Sequence, residues 1–212
     1  MTDSLVDSAK GLSSATLHEA AGRTGALPSS IKPLSPETAL CGRAFPVRSS
    51  AGDNLYIHHG IYAASAGDVL VVDCGEAAEF GYWGEVMARA ALARGIAGLV
   101  ISGGVRDSRQ MLAMGFPVFA ANVCIRGTGK NPEGQGSVAR PITIGDVRIM
   151  AGDLVVGDAD GVVVVAAADA EAAVAESRRR DQAEETLFRQ LQAGATTLEI
   201  YKLPTPRPGP KG

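Results

Sequence analysis

The stretch Gly103-Gly104-Val105-Arg106-Asp107 has the residue types of a ligand site rather than of a core. It follows an apolar run, Ile96 to Ser102, that reads as a buried strand. Paired glycines let a backbone approach a ligand closely and tolerate positive φ, so they read here as a turn. An arginine grips a carboxylate through two parallel N–H···O bonds. An aspartate beside it can hold a hard divalent cation. A second acid, Glu85, stands upstream with twenty residues between it and Arg106, at the start of an amphipathic pattern. The first amides of a helix lack intrahelical partners and sit at the positive end of its dipole. The backbone N–H groups of Gly84, Glu85, Val86 and Met87 therefore form a candidate carboxylate site. Asp107 and Glu85 together suit Mg²⁺ or Mn²⁺, which takes few protein carboxylates and keeps several waters. Plainer readings stand beside these: a helix start facing water, a surface Arg-Asp pair, two solvated acids.

Other chemistries lack their residues. Cys41, Cys74 and Cys124 are widely separated and odd in number, which argues against a disulfide framework and for a reduced, cytoplasmic setting. No His/Cys cluster has zinc spacing, and His18, His58 and His59 read as structural. No phosphate-binding loop, nucleophile elbow or dinucleotide fingerprint occurs, and no lysine has a Schiff-base context. The net charge of −3 gives no phosphate-neutralising face, so no nucleic-acid partner is expected. The basic run Arg178-Arg179-Arg180 is flanked by Glu176, Asp181, Glu184 and Glu185 and reads as a solvated helix face. The longest strongly apolar run, Val162 to Ala168, is far too short to span a bilayer, so no membrane partner is expected.

The elements that must carry these residues read as α/β. A short helix is expected over Thr16–Gly22, a loop over Gly25–Pro36, a strand over Gly42–Val47 and a helix from Leu55 to about Ala64. The middle reads β-α-β-α-β, with a helix over Gly84–Arg94, the strand Ile96–Ser102, a helix over Ser108–Met114 and a strand over Phe116–Ala120. Ala66-Gly67-Asp68 and Ala151-Gly152-Asp153 each precede an apolar strand, a local repeat of one turn. Residues 127–136 read as an exposed loop, followed by strands at 142–144, 147–150, 154–156 and 161–167. A long polar helix runs from about Asp169 to Gln192, as expected of an outer helix or one facing another subunit. The organisation expected is a tail over residues 1–11, one domain over 12–202 and a Pro-rich tail over 203–212.

The run GEVMARAALARGIAGLVISGGVRDSRQMLAMGFPVFA, from Gly84 to Ala120, resembles the family shared by the 4-hydroxy-4-methyl-2-oxoglutarate aldolases and the regulator-of-ribonuclease-activity A proteins. The likeness extends to SSATLHEAAGR, to Gly52-Asp53-Asn54, to both Ala-Gly-Asp strands and to GDADGVVVV from Gly157, covering residues 12 to 202. This chain has Glu85 where the pattern is often written with Asp, and Gln110 where many members carry an acid.

The resemblance implies a single-domain swivelling β/β/α-type sandwich with a long C-terminal helix, assembled as a homotrimer or homohexamer with inter-subunit sites. It implies a divalent-metal-dependent (Mg²⁺ or Mn²⁺) aldolase that cleaves 4-hydroxy-2-oxo acids to pyruvate and decarboxylates oxaloacetate. Asp107 would bind the metal, and Glu85 would reach it through water. Arg106 would contact the substrate carboxylate or enolate oxygen, and the Gly84–Met87 amides would hold the pyruvoyl carboxylate. Glu184, on a neighbour's C-terminal helix, would complete the site. The alternative that the resemblance carries is a non-catalytic, protein-binding regulator of an RNA-degrading endonuclease.

Overall fold

The computed structural model describes residues 2–206. The chain runs α1 (Asp3–Ala9), α2 (Ser14–Ala20), β1 (Lys32–Pro33), β2 (Leu40–Arg48), α3 (Leu55–Ala63), β3 (Asp68–Asp73), β4 (Gly81–Trp83), α4 (Glu85–Ala93) and β5 (Gly98–Val105). It continues with α5 (Ser108–Ala113), β6 (Val118–Val123), β7 (Ser137–Val138), β8 (Ile142–Ile144), β9 (Val147–Ile149), β10 (Leu154–Asp158), β11 (Gly161–Val165), α6 (Ala170–Gln192) and α7 (Thr197–Ile200).

Alternation along the strands builds the layers. Successive side chains of a strand face opposite sides. On β3, Leu70 and Val72 pack with α3 and α4 residues, while Val69 and Val71 face Phe119, Val155 and Val164. On β10 and β11, Val155, Val162 and Val164 join that second core, while Leu154, Val156, Val163 and Val165 face α1, α2 and α6. Strands buried on both faces read as continuous apolar runs, as these do.

The mixed sheet is nine-stranded, in the order β1-β6-β5-β3-β2-β10-β11, with β4 added beside β5 and β7 beside β2. Its ends nearly meet. Leu27 N donates to Val162 O at 2.9 Å and Val164 N to Gly25 O at 2.8 Å, so the segment before β1 lies along β11. The β8–β9 hairpin contributes Ile142, Ile144 and Ile149 to the enclosed core.

The two Ala-Gly-Asp copies are one turn used twice, on either side of β2. Asp68 Oδ2 accepts from Ser65 N at 2.9 Å, and Asp153 Oδ2 accepts from Met150 N at 2.8 Å. Gly67 and Gly152 hold φ of 83° and 89°, which only glycine adopts without strain. The strands that follow flank β2, β3 in parallel and β10 antiparallel.

One expectation changes. Residues 1–11 are not a bare tail: α1 packs on α6 and β2, and buries Ala9. The reason is tertiary, because Leu5, Ala9 and Leu12 find a ready apolar surface on β10, β11 and α6. The Pro-rich tail expected over 203–212 lies outside the described residues from 207 onward, and just before it Thr196 and Glu199 form a capping box that starts α7. Among the described residues, no helix is long and apolar enough to cross a membrane.

Candidate active site

The site forms where β4 and β5 end side by side. These strands are parallel, with Gly81 opposite Gly104 and Trp83 opposite Val105. Ligands of α/β sheets usually sit at such carboxyl ends. β5 runs straight through Gly103 and Gly104, so these residues are strand, not the turn that the glycine pair suggested. Their small size serves packing. A Cβ on Gly103 would lie 2.7 Å from Tyr82 Cδ2, and one on Gly104 would lie 2.2 Å from Asn122 Oδ1. The bend comes later, at Asp107, which holds φ 57° and ψ 34°, a left-handed conformation that aspartate tolerates better than most residues.

That bend turns the Asp107 carboxylate onto the start of α4. Asp107 Oδ2 accepts from Glu85 N at 3.0 Å, which satisfies one of the orphan amides of the helix. Gly84 is required by space alone, since its backbone is extended and a Cβ there would lie 2.4 Å from Asp107 Oδ2. Arg106 is fixed through its backbone, with its N donating to Trp83 O at 2.8 Å. Its Nε lies 3.9 Å from Asp107 Oδ2, both side chains being partly exposed. A cavity of about 230 Å³ opens here, lined by Gly84, Val86, Met87, Arg106 and Asp107 of the expected set. The carboxylate of Glu85 turns along α4, where its Oε1 accepts from Arg89 Nε at 2.9 Å and Nη2 at 2.7 Å. Glu184 is exposed on α6, the helix that packs on α1 and α2. The structure thus brings Arg106, Asp107 and the α4 amides together. Within one chain it does not bring the Glu85 carboxylate or Glu184 to them.

Sequence reasoning missed Asn54, His58, Tyr82 and Lys130, which also line the cavity. A single hub gathers them. Asp53 Oδ1 accepts from Leu55 N at 2.8 Å at the start of α3, and its Oδ2 accepts from Asn131 N in the 127–136 loop. Gly129 N donates to Gly52 O at 2.8 Å, and Asn54 N to Gly129 O at 3.2 Å, so Lys130 is held at the cavity by backbone bonds. Asn54 Nδ2 donates to Tyr82 O at 2.9 Å, tying α3 to β4, while its buried Oδ1 has no partner among the described residues. Tyr82 Oη donates to Ala77 O at 2.7 Å and accepts from Gly52 N at 2.9 Å. The available signal was Gly52-Asp53-Asn54, a turn just ahead of a histidine-bearing helix.

Electrostatics favour a small anion. Arg106, Lys130 and the α4 N-terminus surround one carboxylate, Asp107. Burial, and then the nearby charges of Lys130 and His59, hold His58 below the usual histidine range. The donor set also fits a hard cation. Asp107 Oδ1 takes no hydrogen bond among the described residues, and a single carboxylate in an open pocket suits an ion that keeps its waters. Among the described residues no three His, Cys, Asp or Glu converge as a closed metal cage would need. A larger cleft of about 960 Å³ lies between α2, α6 and the β8–β9 hairpin. Two of its charged lining residues are spent in ion pairs, Arg23 with Glu19 and Glu176 with Arg179.

Comparison with known proteins gives matches over most of the chain. The family model RraA-like, described as Aldolase/RraA, matches residues 2–164. A protein of Halalkalibacterium halodurans named "Putative 4-hydroxy-4-methyl-2-oxoglutarate aldolase" is 34% identical over 175 residues, 82% of each chain. The crystal structure of an uncharacterized protein from Pseudomonas syringae pv. tomato superposes with a TM-score of 0.82 at 28% identity, covering 92% of both chains. A structure described as the RNA-processing inhibitor RraA from Thermus thermophilis superposes with a TM-score of 0.65 at 27% identity, covering 72% of this chain and 92% of that one.

Proposed function

Because the chain belongs to the RraA-like family, we propose that it is a divalent-metal-dependent aldolase, cleaving 4-hydroxy-2-oxo acids such as 4-hydroxy-4-methyl-2-oxoglutarate to pyruvate and decarboxylating oxaloacetate. The observation that carries this reading is the Asp107 carboxylate docked on the first amide of α4, beside Arg106, in a cavity that Lys130 also lines. A protein that only binds another protein has no need of a carboxylate and two cations converging on a pocket of small-molecule size. The protein-binding alternative draws its support from the likeness to the Thermus thermophilis structure, and fold alone does not decide function.

In the proposed reaction the 2-oxo acid enters with its C1 carboxylate toward the Gly84–Met87 amides. Glu85 N is already engaged by Asp107, which leaves the following amides for the ligand. Arg106 donates to the 2-oxo oxygen and stabilises the negative charge that develops there as the C3–C4 bond breaks. Lys130 faces the distal carboxylate. Asp107 would hold Mg²⁺ or Mn²⁺, with Glu85 through water and Glu184 from a second copy of the chain. Bound there, the ion would act as a Lewis acid on the 2-oxo group. In oxaloacetate the bond that breaks is the one to the leaving CO₂, and the same enolate is formed. The proposed assembly is a homotrimer or homohexamer in which α6 carries Glu184 to a neighbouring site.

The test is direct. Purified protein supplied with Mg²⁺ or Mn²⁺ should release pyruvate from oxaloacetate and from 4-hydroxy-4-methyl-2-oxoglutarate, and a chelator should stop it. Asp107→Ala should abolish turnover while leaving the circular-dichroism spectrum unchanged. Failure of the metal-loaded protein to act on any acid of a broad 2-oxo panel would overturn the reading.

A further inference from the structure

Aldol cleavage needs a group that takes the proton of the C4 hydroxyl, and the cavity has few side chains that could do so. Tyr82 Oη is committed between Ala77 O and Gly52 N, and burial raises its pKa. Asp107 is engaged by the α4 amide and is the proposed metal holder. Arg106 and Lys130 are the cations that face the carboxylates and the enolate. Asn54 has no proton-accepting chemistry of this kind. His58 remains. It is half-buried on the first turns of α3, and its ring enters no hydrogen bond among the described residues. By contrast, His18 bonds to Thr24 O and His59 lies tilted against Tyr56.

We propose that His58 is the catalytic base of the cleavage, taking the C4 hydroxyl proton of the substrate; this rests on the aldolase reading above. The imidazole accepts the proton on a ring nitrogen, and the O–H electron pair becomes the new C4 carbonyl. The C3–C4 bond breaks, and its electrons enter the pyruvate enolate held by Arg106. The imidazolium then returns its proton to C3, giving the methyl group of pyruvate. No other reactant is needed. Lys130 on the loop and His59 beside it on α3 are the charged neighbours that act on His58, and Arg106 and Asp107 after β5 and Tyr82 on β4 line the same cavity. The positive neighbours and burial both favour the neutral imidazole, which is the form a base requires.

Oxaloacetate has no C4 hydroxyl proton to remove, so the two activities separate the role from a structural one. In His58→Gln, assayed with Mg²⁺ on both substrates, the ratio of aldol cleavage kcat to decarboxylation kcat should fall by about 100-fold or more. An unchanged ratio overturns the assignment even where the wild-type protein performs both reactions. A wild-type protein that performs neither overturns the aldolase reading, and this assignment with it. Should His58→Gln fail to fold, the wild-type pH profiles decide. Cleavage should show an acid limb that decarboxylation lacks, and coincident limbs overturn the proposal.

Discussion

At Asp107 a non-glycine residue holds φ at 57°, and its carboxylate stands on the first turn of α4. The two facts belong together. The left-handed turn reverses the chain just past β5 and points the side chain back at Gly84, where no Cβ stands in its way. Gly84→Ala would therefore displace the Asp107 carboxylate, and would press on Arg106 Cγ at 3.1 Å, while keeping every backbone amide of the site. The expected result is a fall in kcat/KM of about 100-fold, as for other sub-ångström to ångström misplacements, with the melting temperature nearly unchanged. Steady-state kinetics and thermal denaturation together check it. Much of this was legible in the sequence, because Arg106, Asp107 and the helix start at Gly84 are adjacent or one supersecondary unit apart. Asn54, His58 and Lys130 were not legible, because the start of α3 and the 127–136 loop are two separate segments joined by the Asp53 carboxylate and the Gly129 backbone bonds. Gly103 and Gly104 were read as a turn, since nothing in the sequence shows that Tyr82 and Asn122 will press on a strand there.

Among the elements, strands and helices of ordinary length were visible by periodicity, and those that only tertiary contacts sustain were not. β4 has three residues, too few for a pattern, and exists because β5 offers its edge. α1 lies in the expected tail, and is held by packing and by Arg178, which donates to Ser8 O. The start of α2 shows the same dependence on distant partners. Asp158, on the last position of β10, accepts from Ser14 N and Ser14 Oγ, each at 2.7 Å. Burial alone would raise the Asp158 pKa, but the bonds from Ser14 and from the Asp160 and Gly161 amides outweigh it and hold it below its ordinary value. A carboxyl depressed on folding adds stability above its unfolded pKa, and that stability is lost as pH falls through the folded value. Asp158→Ala should thus cost about 1–2 kcal/mol near neutrality. The cost should shrink as pH drops below the usual carboxylate range, as urea titrations at several pH values would show.

On the scale of the whole molecule, three cores divide the work. One backs the site through α3, α4 and β4, one fills the closing sheet, and one fixes α1, α2 and α6 to the outside of β10 and β11. Beyond Ser177 the helix α6 buries no further side chain, and Phe188 on α6, Leu198 on α7 and Tyr201 at its end stand more than half exposed, at 55%, 60% and 59%. Under the proposed assembly this half of α6 belongs to a neighbour's site and brings Glu184 there. Mixing then becomes informative. Asp107→Ala and Glu184→Ala proteins, each inactive alone, should regain part of the wild-type pyruvate release when co-expressed and purified as mixed oligomers. Some of the sites in such mixtures contain neither substitution. Absence of any recovery in verified mixed oligomers would count against shared sites.

Trp83 is the sole tryptophan of the chain, and it lies fully buried against Phe116, with ring centroids 5.8 Å apart and planes 12° from parallel. Its indole N–H has no partner among the described residues, and its backbone carbonyl anchors Arg106. The molecule consequently carries one indole fluorophore, set in the wall of the cavity where the proposed chemistry takes place. Emission excited at the red edge of the absorption band, where tyrosine does not absorb, reports on that wall alone. Titrating pyruvate or oxalate against Trp83 fluorescence therefore measures occupancy of the site with no label, no coupling enzyme and no turnover.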